Sequence, residues 1–147
     1  MIHLQNNKIV GDVPSAAVGA TATATLTIDT IGYDVASVAV LRASNASTVF
    51  ANAIKIADSD DNTTYTDVTA LVGGGTGGFS IPAIPATATG SASILKLDVD
   101  TKARKRYLKV SYTPGASANV SIVARLGRGE EAPVTNTEVG VLSVVKG

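Results

Sequence analysis

The chain has 147 residues, with no cysteine, no tryptophan and a single histidine. Lack of cysteine excludes a disulfide scaffold, a thiolate zinc site and a thiol nucleophile, and leaves the redox compartment open. The one histidine, His3, stands beside the terminus, which removes most imidazole catalysis and metal ligation. Charge is sparse, 16% of residues, and balanced, twelve Lys and Arg against twelve Asp and Glu. Such a chain has no one-signed field to hold bulk nucleic acid or a membrane surface, so neither is expected as a partner. No apolar run approaches the roughly 18 residues of a spanning helix. The opening MIHLQNNKIV lacks a charged region followed by an apolar stretch, so no signal peptide is expected. Without a secretory signal, the sequons at Asn45, Asn62 and Asn119 read as chance.

What is present points to strands. Ala, Thr, Val and Gly make up nearly half of the chain. Thr and Val are stiff at χ1 and sit well on a pleated surface. Ala24, Leu26 and Ile28 alternate with Thr23, Thr25 and Thr27, the period of two of a half-buried strand. Val35–Ala43 is apolar on both faces, as a central strand or an interface strand is. Val49–Ala57 puts Ile54 and Ile56 inward and Lys55 outward, and Thr64–Leu71 follows an acidic turn. Leu95, Leu97 and Val99, then Leu108, Val110 and Tyr112, then Val120, Ile122, Ala124 and Leu126 repeat the alternation, and Val139–Lys146 forms a last strand. Apolar spacing of 3.6 is not sustained anywhere. The expected fold is all-β, a single β-sandwich or jelly-roll-like domain over 21–147 with a thin core of small side chains. Residues 1–20 lack sustained alternation and read as an extended N-terminal arm or edge strand. Gly73–Gly90 reads as a long loop, its glycine run too flexible for regular structure, with Pro82 and Pro85 barring a central strand.

Four motifs invite chemistry. Asp58, Asp60 and Asn62 match the first ligands of a calcium loop, but Thr63 stands where the sharp-turn glycine belongs and Thr69 where the bidentate Glu belongs. Gly73–Gly78 is followed by Phe79 and Ser80, not by the Lys and Ser/Thr of a phosphate loop. Asp98 and Asp100 share a strand face with Lys96 close by, the pattern of a salt-bridged solvent face rather than of an acid–base pair. Lys102, Arg104, Lys105 and Arg106 form the sharpest charge cluster; with Lys96 and Lys109 they hold half of the basic residues. That cluster reads either as a solvated turn between strands or as a docking patch for an acidic protein surface. No catalytic, metal or cofactor residue is assigned, and the chain is not expected to be an enzyme.

Three segments in this order resemble small β-rich structural proteins of tailed bacteriophages, closest to capsid decoration (cement) proteins. They are Ile54–Val68, with its Ser59-Asp60-Asp61-Asn62 turn and Tyr65-Thr66-Asp67; Lys102–Val110; and Ala124–Pro133. The resemblance implies a sandwich bound to the outside of an expanded icosahedral shell, without enzymatic activity or cofactor. It implies the major capsid protein as partner, a homo-oligomer (a trimer in the first place, a dimer in the second), and a location on the virion exterior after synthesis in the host bacterial cytoplasm. A head-completion, neck or tail component is the alternative. A carbohydrate- or surface-binding module using the Gly73–Gly90 loop with Tyr33, Tyr65, Tyr107 and Tyr112 is a more remote one. The residues assigned to capsid or partner contact are Ile2, His3, Leu4, Lys8 and Val10 of the arm and Lys102, Arg104, Lys105 and Arg106 of the basic turn.

Overall fold

The computed structural model describes residues 7–127 and 143–146. The chain is an all-β sandwich of two sheets. In chain order the strands are β1 (Lys8–Asp12), β2 (Ala24–Asp29), β3 (Val35–Arg42), β4 (Ala51–Ser59), β5 (Thr66–Val72), β6 (Ser93–Asp100), β7 (Tyr107–Pro114), β8 (Val120–Gly127) and β9 (Ser143–Lys146). One sheet has the order β1-β8-β3-β6-β9 and the other β2-β7-β4-β5. All pairings are antiparallel except β6 with β9. Two short 3-10 turns, Ala86–Ala88 and Thr101–Ala103, interrupt the connections. No helix among the described residues is long and apolar enough to cross a membrane.

The alternation sets which side chains are inside. Ala24, Leu26 and Ile28 of β2 face the core, and Thr25 and Thr27 face solvent. Because the side-chain period is two, one residue of slip would turn every one of these outward, so burial of one face pins the register. From the opposite sheet Ala36, Val38, Val40, Leu95, Leu97, Val99, Ile122, Ala124 and Leu126 are all 0% exposed. β3 is apolar on both faces because it is the central strand, paired with β8 on one side and β6 on the other. The core is aliphatic; its two fully buried aromatics are Phe50 and Tyr112, with ring centroids 5.5 Å apart.

Three features differ from the sequence expectation. β4 runs on through Asp58 and Ser59, which are buried, because its pairing with β7 continues to Ser59 opposite Tyr107. The acidic turn therefore begins two residues later, at Asp60. Asp98 lies on the outer face of β6 and is salt-bridged to Lys96 at 2.5 Å, but its side chain is only 9% exposed. The glycine run is an ordered turn. Gly73 donates to Ile54 O at 2.8 Å, Gly74 to Phe79 O at 2.8 Å, and Phe79 to Val72 O at 3.2 Å. Glycine is needed there for space: a Cβ on Gly78 would sit 1.9 Å from Val72 O, and Gly77 has φ of +78°. The loop is then tied down again where Ala83 bridges Val49 and where Ile84, itself buried, donates to Thr48 O.

Candidate functional site

The arm segment contains β1, the edge strand of the five-stranded sheet. Its register on β8 runs from Lys8 opposite Leu126 to Asp12 opposite Ile122. Val10 points inward and packs against the core, while Ile9 is 73% exposed and Val13, just past the strand, 71%. These are the two most exposed large apolar side chains of the described residues. Among the described residues β1 pairs only with β8, so its other edge presents unpaired backbone groups. Lys8 and Asp12 sit at its two ends on the same face as Val10. Ile9 and Asp12 were not among the residues singled out from the sequence; two adjacent apolar residues, Ile9 and Val10, leave the parity of so short a strand undecided. Ile2, His3 and Leu4 lie outside the described residues.

The basic turn gathers at one end of the sandwich, where Asp29, Ser59, Asp100 and Gly127 end their strands. Asp100 caps the 3-10 turn by accepting from the Lys102 N–H at 3.0 Å. Thr101 locks it to the β2–β3 loop, its hydroxyl donating to Tyr33 O at 2.5 Å and its N–H to Asp34 O at 3.0 Å. Carboxylates from three separate segments then meet the cations. Lys102 lies 3.6 Å from Asp34, Lys105 lies 3.3 Å from Asp60, and Arg106 grips Asp29 with two bonds of 3.0 and 2.8 Å. The Arg106 hydrogen bond, then the Ile31 N–H and the charges of Arg106 and Lys8, hold the Asp29 carboxyl down to about 2. Arg106 itself is raised, chiefly by that hydrogen bond. Arg104 is half-buried, and its Nε has no hydrogen-bond partner. The turn is thus a charge-paired surface rather than a uniformly basic one.

The acidic turn is organised by Asp61, the residue that the calcium pattern skips. Its carboxylate accepts from the Ser59 hydroxyl at 2.8 Å, the Thr63 N–H at 2.9 Å and the Thr64 N–H at 2.8 Å. Those bonds, the Thr64 N–H first, hold its carboxyl far below the usual carboxylate range. Asn62 takes φ of 59°, a conformation Asn tolerates, and accepts from the Tyr65 hydroxyl. Among the described residues no group of three or more His, Asp or Glu is placed to hold a metal ion.

The tyrosines do not form a sugar platform with the glycine loop. Tyr112 is fully buried, its hydroxyl donating to Phe50 O at 2.7 Å. Tyr107 and Tyr65 each lie under a cation, Arg106 at 4.8 Å and Lys109 at 4.5 Å from the ring centroids. Both flank the charged end, where Ser59 of β4 meets Tyr107, whereas the glycine loop bonds to the other end of β4 around Ile54 and Val49. Grooves among the described residues open to solvent. One crosses the outer face of the four-stranded sheet between Thr23, Lys55, Val72, Ser111 and Thr113.

No protein-family model matches the chain, and no curated protein matches it. Among solved structures the chain is similar to one described as "Bacillus endospore appendages form a novel family of disulfide-linked pili", at 16% identity and a TM-score of 0.37, over 84% of this chain and 88% of that one.

Proposed function

We propose that the chain is a structural protein that works by binding to a larger assembly, as a decoration (cement) protein on the outer surface of an icosahedral phage capsid. The observation that carries this reading is the exposed β1 edge, with Ile9 and Val13 in solvent and Lys8 and Asp12 beside them. Exposed apolar side chains rimmed by charge dock on another chain's surface without a built pocket. The outer face of the five-stranded sheet supports it. There Val35, Ala39, Leu41, Ile94 and Val123 are half-buried among Ser37, Ser121, Arg125 and the Lys96–Asp98 pair, so the face mixes apolar and charged side chains. Many copies on one shell act through avidity, so each contact is allowed to be weak. The proposed partner is the major capsid protein and the proposed location the virion exterior. With no cysteine the chain has no disulfide route to joining copies.

In this reading contact falls to the arm and β1, including Lys8 and Val10. Lys102, Arg104, Lys105 and Arg106 contribute through the balanced charge pattern they form with Asp29, Asp34 and Asp60. The test is co-sedimentation of the purified chain with expanded shells stripped of it. Saturable binding that drops when residues 1–12 are deleted, with the sandwich still folded, is expected. Binding that is absent, or indifferent to that deletion, contradicts the proposal.

A further inference from the structure

The free edge of β1 is complementary to itself. Its five residues read Lys8-Ile9-Val10-Gly11-Asp12, with a cation at one end, an anion at the other and a valine at the centre. When two such strands pair antiparallel about a two-fold axis at Val10, residues whose numbers sum to twenty face each other. Lys8 then opposes Asp12 of the second copy, and Asp12 opposes its Lys8. Directly opposed cross-strand side chains lie about 5 Å apart at Cβ, close enough for opposite charges to attract. Ile9 opposes a glycine, Gly11, and so finds room for its exposed side chain over bare backbone. Val10 opposes Val10 beside the core. Neither Lys8 nor Asp12 forms an ion pair among the described residues.

We infer that this edge is a homodimer interface: two copies join through β1 to make one continuous sheet across both five-stranded sheets. An isologous contact of this kind closes on itself and does not propagate into fibres. Natural proteins blunt an open edge with charge or proline, and Pro14 ends this one just after Asp12. What distinguishes this edge is that its charges have opposite signs at matching distances from the centre. A slip of four residues would set Lys8 against Lys8 or Asp12 against Asp12, whereas the symmetric register sets opposite charges together. Parallel pairing would set Lys8 against Lys8 and Asp12 against Asp12, which like-charge repulsion disfavours.

The test is charge reversal read by sedimentation equilibrium of the full chain at low salt, with circular dichroism to confirm folding. The wild-type chain dimerises. Lys8→Asp alone and Asp12→Lys alone each turn both symmetric contacts repulsive and weaken the dimer about ten-fold. The Lys8→Asp/Asp12→Lys double variant returns to near wild-type affinity. An equimolar mixture of the two single variants forms a heterodimer. One copy then carries two anions along its edge and the other two cations, so both cross-strand contacts are attractive. Lys8 also lies near Asp29, so Asp12→Lys carries the same prediction at a site away from that pair. A wild-type chain that stays monomeric to about 1 mM overturns the inference. So does association that survives both single reversals, or a mixture that does not reassociate. The experiment uses no capsid, so its failure is distinguishable from failure of the capsid reading.

Discussion

The hydroxyl of Tyr112 on β7 donates to the main-chain carbonyl of Phe50 at 2.7 Å, while the two rings lean together at an interplanar angle of 50°. One contact is polar and the other aromatic, and both tie the start of β4 to the end of β7 inside the core. Burial pushes the Tyr112 hydroxyl far above its ordinary range, against a smaller opposing effect from Arg42.

Tyr112→Phe keeps the ring and loses the hydrogen bond. Near neutral pH it should lower stability by about 1 kcal/mol, modest because Gly115 also donates to Phe50 O, at 3.4 Å. The alkaline side decides the cause. A folded-state value above the unfolded one of about 10 means that the unfolded chain releases its proton first, so stability falls as pH rises through about 10. The variant lacks this component, and its urea midpoint should approach that of wild type between about pH 10 and 11. Parallel midpoints across that range would show that burial of this hydroxyl is not what matters.

Asp29 behaves in the opposite direction. Its folded value of about 2 is depressed, so its contribution is fully present above the unfolded value of about 4 and is lost as pH falls toward 2. Asp29→Asn should flatten the acid limb of the stability curve between about pH 4 and 2. Arg106→Ala should flatten it in the same way, and the double variant should add little to either single one, because the two side chains share one interaction. Fully additive losses in urea melts would contradict the pairing.

Gly78→Ala tests whether the glycine run is a turn or a tether. The added Cβ would meet Val72 O at 1.9 Å, so the Gly73–Phe79 crossing must open. A loss of about 1–3 kcal/mol is expected, as for other overpacked sites. Hydrogen exchange should speed up at the Gly74 and Phe79 amides, whose acceptors lie across that turn. Unchanged exchange would mean that the run is as loose as its composition alone suggests.

Most of the sandwich was legible because one buried face imposes a period of two. β2, β3, β6, β7 and β8 all show it in their apolar residues, and Val35–Ala43, apolar on both faces and read as a central or an interface strand, holds β3, the middle strand of its sheet. The period failed where both faces are enclosed. Ala57, Asp58 and Ser59 are buried in succession, so polar residues that resemble a turn belong to a strand. Arg42 occupies an inward position of β3 at 1% exposure. Its two terminal nitrogens donate to the carbonyls of Val49 and Ser47 at 3.1 and 3.0 Å, while its buried Nε has no hydrogen-bond partner, an arrangement no local pattern announces. The basic turn was visible as a cluster, but its neutralising partners were not. Asp29 is 77 residues from Arg106, and only the sheet order brings them together. The β1 edge was half visible: Lys8 and Val10 were singled out, whereas Ile9 and Asp12 acquire meaning only from the strand's place at the end of a sheet.

The proposed role makes this sandwich a repeated surface component of a shell. The most direct measurement is its copy number in purified particles, quantified by mass spectrometry against the major shell protein. Decoration of the shell requires hundreds of copies, near one per shell subunit. A dozen or so copies would move the chain to a neck or tail ring, and complete absence from the particle would contradict the account outright.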